Sequence, residues 1–175
     1  MTMYARVTSP LGELLLVGER PAGAAGAVGS SGVALVSLSL PGQKGGSQVQ
    51  DGWFHEPEAF AGIAAQLAAY FDGRLTRFDI AYADGAGTEF QRRVWKALDS
   101  IPYGETVSYG RVAEQVGSAG PGVRAVGTAI GRNPLLIVRP CHRVIGADGA
   151  LRGYAGGVER KKMLLGLEGA PMAGR

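Results

Sequence analysis

The chain has 175 residues, 46% of them hydrophobic, a length that fits one large domain or two small ones and can bury a proper core. One cysteine excludes an intramolecular disulfide, and two histidines, His55 and His142, leave no cluster with zinc-ligand spacing, so no metal site is expected. The net charge of +3 divides unevenly: residues 1–87 carry 5 basic and 8 acidic side chains, and residues 88–175 carry 13 and 7. The second half is therefore the candidate for a polyanionic partner, although an ordinary solvated face shows the same bias and no run of five basic residues occurs. No apolar run reaches the roughly 18 residues of a membrane span, and the opening MTMYARVTSPLG lacks a secretory pattern. A cytoplasmic protein with no membrane partner is expected.

In chain order, ELLLV (13–17) and the partly alternating GVALVSLSL (32–40) have strand character. The stretches PAGAAGAVGSSG (21–32) and PGQKGGSQVQDG (41–52) read as loops without packed side chains. Between Pro57 and Phe71 the residues Phe60, Ile63, Ala64, Leu67, Ala68 and Phe71 recur at helical spacing, and FDIAY (78–82) reads as a further strand. Residues 1–87 thus form an α/β unit, with ADGAG (83–87) as its linker.

From Thr88 onward short, well-punctuated helices follow. TEFQRRVWKALDSI carries an apolar stripe of Phe90, Val94, Ala97, Leu98 and Ile101, and Thr88 with Gln91 fits a capping box. After PYGET, Ser108 caps YGRVAEQVG, with Gly117 as its stop. SAGP then leads to GVRAVGTAIG, with Pro121 in its first turn and Val123, Val126 and Ile130 on one side. Two short helices joined by a tight glycine-containing turn make a helix-turn-helix candidate, with Arg124 near the start of the second helix. Many helical pairs that never touch nucleic acid look the same. The segment GADGALRGYAGG (146–157) reads as a turn-rich hairpin or wing before a last helix over roughly Val158 to Leu167.

The only cysteine lies in RPCHRVIG (139–146), after the strand-like run LLIV (135–138). A lone cysteine is most often a small core hydrophobe. Here Arg139, His142 and Arg143 surround it with positive charge, which favours the thiolate. Neighbouring side chains on an extended strand point to opposite faces, so a water is the natural link between Cys141 and His142. The imidazole then needs an orienting carboxylate. Glu168 follows Leu164 by four positions and shares its inward face, unless it sits exposed at a fraying helix end.

TEFQRRVWKALDSIPYGETVSYGRVA, GVRAVGTAIGRNP, PCHRVIG and GYAGGVERKKMLLGLEG, in this order and spacing, resemble the O6-alkylguanine-DNA alkyltransferase family. The likeness covers residues 88–169, whereas before it only SPLGELLL resembles the family's first hairpin. The resemblance implies an N-terminal ribonuclease-H-like α/β domain (1–87) and a C-terminal, mainly helical winged helix-turn-helix domain (88–175). The partner implied is double-stranded DNA containing O6-alkylguanine, with O4-alkylthymine as a further possible substrate. The damaged base is flipped from the minor-groove side and its alkyl group passes once to Cys141. No cofactor is implied, and a monomer is expected, with clustering on DNA left open.

By motif, Cys141 is the nucleophile, His142 its base through a water, and Glu168 the group that orients the imidazole. Asn133 buttresses the site, and Tyr109 protonates the departing guanine ring. Arg124 is the finger that fills the emptied stack, with Arg143, Thr128 and Ala125 as further DNA contacts. Val144, Tyr154, Ala155 and Gly156 line the base pocket. Two departures stand out. Arg139 replaces a commonly aliphatic residue, leaving a phosphate or a first-domain carboxylate open as its partner, and Ala155 stands where some relatives carry serine. Three rivals remain at this stage: a recognition-only binder, against which Cys141 argues, a helix-turn-helix regulator with an incidental thiol, and a cysteine hydrolase, for which no oxyanion motif is found.

Overall fold

The computed structural model describes residues 1–20, 32–83 and 86–171, and divides the chain into two compact units, Met1–Ala86 and Gly87–Arg175. The first is a sheet with a helix, and the second is mainly helical.

In the first unit, β1 (Thr2–Ser9) and β2 (Gly12–Glu19) form an antiparallel hairpin closed at Pro10-Leu11, and β3 (Ala34–Ser39) pairs antiparallel with β2. A two-residue β4 (Phe54–His55) lies parallel to β1, giving the order β3-β2-β1-β4. Met3 and Ala5 of β1 and Leu14 and Leu16 of β2 alternate into the core. A bulge falls between Val17 and Gly18, where a β-carbon at Gly18 would meet Val33 at 2.4 Å. Only glycine lets the backbone pass there. A short 3-10 turn (Pro57–Phe60) leads into α1 (Ala61–Phe71), which buries Ile63, Leu67 and Tyr70. Tyr70, rather than Phe71 or Ala68, completes the stripe.

Two expectations for this unit are corrected. FDIAY does not form a strand: it makes a single bridge, Leu35 to Tyr82, while the Gln66 side chain takes both the N–H and the carbonyl of Asp79 at 2.8 and 2.9 Å. Those are groups a ladder would need. The stretch 41–52 is pinned, not bare, because Ser47 N–H donates to Ser39 Oγ (3.0 Å) and the hydroxyls of Ser37 and Ser47 are 2.9 Å apart. Of the other glycine-rich stretch, residues 21–31 lie outside the described residues, as do residues 84–85 of the expected linker.

In the second unit, α2 (Glu89–Asp99) starts at Thr88 with the full capping box, Gln91 N–H donating to Thr88 Oγ1 and Thr88 N–H donating to Gln91 Oε1. A short β5 (Val107–Ser108) runs into α3 (Tyr109–Gln115), whose cap Ser108 accepts from Arg111 N–H. Pro121 lies in a separate 3-10 turn (Gly120–Gly122) before α4 (Val123–Gly131). The indole N–H of buried Trp95 donates to Ala129 O at 2.9 Å and ties α2 to α4. A two-residue β6 (Val144–Ile145) pairs parallel with β5, and α5 (Val158–Glu168) closes the unit. Between them, residues 146–157 hold turns and no strand ladder.

Candidate active site

LLIV is not a strand. Residues 135–139 form a tight buried turn in which Arg139 N–H reaches Leu135 O (3.0 Å) and Ile137 adopts φ 73°. A β-branched residue in the left-handed region costs on the order of 1–3 kcal/mol and persists only where its surroundings impose it. Asn133 supplies that constraint. Its Oδ1 accepts from Leu135 N–H at 3.0 Å, and its Nδ2 donates to Arg139 O at 3.1 Å. Cys141 N–H donates to the same Arg139 carbonyl (2.8 Å), so Asn133 and the Cys141 backbone share one acceptor.

Arg139 pairs with Asp99 of α2 at 3.2 Å and lies over the Trp95 ring.

After Pro140 the chain turns through a single 3-10 turn, Cys141–Arg143, which buries all three side chains. His142 Nε2 lies 2.8 Å from Glu168 Oε2, and both side chains are fully buried. The reading of Glu168 as an exposed helix end is thereby excluded. His142 Nδ1 is buried with no partner among the described residues, so it is able to accept a hydrogen bond. Arg143 is a correction: instead of facing DNA it is 7% exposed, with Nε on Glu168 Oε1 (2.8 Å), Nη2 on Oε2 (3.1 Å) and Nη1 on Ile101 O (2.6 Å). A charged residue beside a cysteine reads as solvated until its buried partner is known.

These pairings also correct the electrostatics. Burial pushes the Cys141 thiol up to about 11, with Asn133, Lys161 and Arg139 pulling weakly the other way. Arg143 and Arg139 are each matched by a carboxylate, so the positive field suggested by RPCHR is largely spent. Burial likewise holds His142 below the usual imidazole range, against the pull of Glu168. The resting pair is thus thiol and neutral imidazole, and deprotonation has to accompany attack.

Cys141 opens on a cleft of about 190 Å³ lined also by Tyr109, Gly127, Ile130, Gly131, Gly153, Tyr154 and Ala155. Tyr109 lines the same cleft as the thiol, with burial and the cysteine charge raising its phenol, so the hydroxyl stays protonated and can donate. Val144 and Gly156 are buried but do not line the cleft, which corrects their placement. On α4 the side chains of Val126, Ala129 and Ile130 face inward, leaving Arg124, Ala125 and Thr128 exposed together. The Thr128 hydroxyl turns back to Arg124 O at 3.2 Å.

Three contributors escaped the sequence reading. Gly127 and Gly131, one turn apart on α4, leave room in the cleft; a β-carbon on Gly127 would sit 3.8 Å from the Tyr109 ring. Lys161 is wholly buried, and its Nζ donates to the carbonyls of Val144 (2.7 Å), Leu151 (2.5 Å) and Gly153 (3.0 Å). Burial pulls its ammonium down to about 8. Its spacing from Leu164 and Glu168, three and seven positions, was the available signal.

The family model of the 6-O-methylguanine DNA methyltransferase DNA binding domain matches residues 89–170. Over 168 residues, 96% of this chain and 93% of the relative, the chain is 51% identical to the methylated-DNA--protein-cysteine methyltransferase of Mycolicibacterium paratuberculosis. The chain belongs to the methylated-DNA--protein-cysteine methyltransferase family. A family member from Methanosarcina acetivorans is 45% identical over 95% of this chain and 98% of its own. The crystal structure of Mycobacterium tuberculosis OGT in complex with DNA superposes with a TM-score of 0.82 at 47% identity, covering 97% of this chain and 95% of that one.

Proposed function

We propose that this methyltransferase repairs DNA by direct reversal, moving the alkyl group of O6-alkylguanine in duplex DNA onto Cys141 in a single turnover. One observation carries this reading: the only thiol opens on a cleft facing a phenol, with a His-Glu pair behind it whose Nδ1 is open. Attack by sulfur on an alkyl carbon needs a thiolate and a stabilised leaving base. In the proposed step the thiol proton passes through a water to His142 Nδ1, Sγ bonds to the alkyl carbon, and the carbon–O6 bond breaks. The electron pair stays on the purine, which takes a proton from the Tyr109 hydroxyl.

The base reaches the cleft by flipping from the minor-groove side, at a cost of a few kcal/mol in stacking and pairing. Arg124 fills the gap, and the exposed face it shares with Ala125 and Thr128 supports α4 as the helix that meets DNA. On this reading the first unit is ribonuclease-H-like and the second a winged helix-turn-helix, with residues 146–157 as the wing. The thioether product is permanent because the chain has no second cysteine to receive the group. Mixing the protein with a duplex carrying one O6-methylguanine and weighing it intact tests the reading. One added methyl group is expected, and none on Cys141→Ala. Preferential binding of the lesion with no mass gained would replace repair by recognition alone.

A further inference from the structure

We propose that Arg143 is a positioning residue of the relay: by forking Glu168 it neutralises that carboxylate, so that His142 rests uncharged with Nδ1 open to the thiol's proton. This rests on the alkyl-transfer reading above and adds to it the group that sets the charge of the base. Glu168 oxygens receive three contacts from two side chains within 3.1 Å: His142 at Oε2, and Arg143 at both. The Arg143 fork is bidentate and closed off from water, the geometry in which guanidinium and carboxylate compensate each other best. Its third arm, on Ile101 O, fixes the guanidinium independently of Glu168.

The charge balance follows from what surrounds the imidazole. The 3-10 turn presents Cys141 and Arg143; α5 presents Glu168 and Lys161; the segment after α2 presents Tyr103, whose ring lies under the Arg143 guanidinium at 5.8 Å. Glu168 and Arg143 cancel, and Lys161 is cationic. A proton on His142 would add a further uncompensated positive charge in a buried setting, which is costly. The imidazole therefore rests neutral, in agreement with burial, which lowers it most, and with the smaller lowering influence of Arg143 and Lys161. With Nε2–H donating to Glu168, the lone pair lies on Nδ1, the atom that has no protein partner.

Removing the guanidinium reverses this. In Arg143→Met the carboxylate loses its bidentate cation and keeps His142 at 2.8 Å, so it draws a proton onto His142. Nδ1 then carries hydrogen and cannot accept one from the thiol. A base that rests protonated near neutral pH is no base for the reaction.

The chain's two histidines make this measurable by NMR titration of the imidazole nitrogens, with exposed His55 as internal reference. In the unmodified protein His142 should titrate below the usual imidazole midpoint of about 6.5. In R143M its titration should move up by at least about one unit, and the acidic limb of the single-turnover rate profile should move with it, an approximately tenfold loss on that limb. Arg143→Lys, which keeps the charge, and R143M combined with Glu168→Gln, which removes both charges, should each leave His142 neutral at pH 7. An unmoved His142 in R143M, with transfer reduced by one factor at every pH, would overturn the proposal and leave Arg143 a structural strut. Should R143M not fold, the other two variants carry the test, since an imidazolium at pH 7 in either contradicts it. The titration is read without substrate, so it stands or falls separately from the alkyl-transfer reading.

Discussion

In residues 1–86 the buried polar side chains among those described are Ser37 and Ser39, two hydroxyls that pin a loop, whereas the second unit buries Asn133, His142, Arg143, Lys161 and Glu168. Burying an ionised group is expensive unless it is paired and hydrogen-bonded, and in the second unit each is: Glu168 with Arg143, Lys161 with three carbonyls. The first unit solves a packing problem with alternating strands and one helix stripe. The second spends stability on holding charges around a thiol. Substitutions should therefore separate the two, costing stability alone in one unit and chemistry in the other.

The largest effect is expected from Glu168→Ala, which leaves a buried guanidinium unpaired. A loss of about 3–5 kcal/mol in denaturant unfolding should accompany loss of methyl transfer. His142→Phe removes the base and should slow single-turnover transfer by about 10²–10⁴ while leaving DNA affinity intact. Unchanged kinetics would remove His142 from the mechanism. In the first unit, Leu67→Ala should cost about 2–5 kcal/mol through the cavity it opens, yet the folded fraction should transfer at the normal rate. If the rate falls with stability, the division between the units fails.

Smaller still is Arg124→Ala. It should slow transfer from duplex DNA by tenfold or more on the order of the base-flipping cost, while reaction with free O6-alkylguanine hardly changes. Equal losses on both substrates would refute a role in flipping. The mildest probe leaves the sequence alone: alkylation of Cys141 by iodoacetamide should rise about tenfold per pH unit and show no plateau below about pH 10, because burial pushes the thiol up to about 11. A plateau near pH 7 would mean that the positive field read from RPCHR prevails after all.

Local signals were legible where local chemistry decides the structure. Thr88 with Gln91, Ser108 and the spacing of Val94, Leu98 and Ile101 marked real helices, and Glu168 was placed inward from its distance to Leu164. The failures share a cause in side-chain partners that composition does not reveal. LLIV has the composition of a strand, but Asn133 bonds the backbone on both sides of it and Ile137 bends. FDIAY loses the ladder groups of Asp79 to Gln66, thirteen residues away, and keeps only a bridge to Leu35. The pairings of Arg143, read as a DNA contact, and of Arg139 were not legible because their carboxylates, Glu168 and Asp99, lie 25 and 40 residues away in the chain. Lys161 was missed for the same reason, since carbonyls leave no mark in a sequence.

The most direct test of the central claim is a count of methyl groups. The protein is incubated with a tenfold excess of duplex bearing O6-methylguanine until transfer stops, then digested and its peptides weighed. One methyl group per molecule, all of it on the peptide containing Cys141, is the predicted result. Continued conversion of the lesion beyond one equivalent, or a methyl group on any other residue, would contradict it.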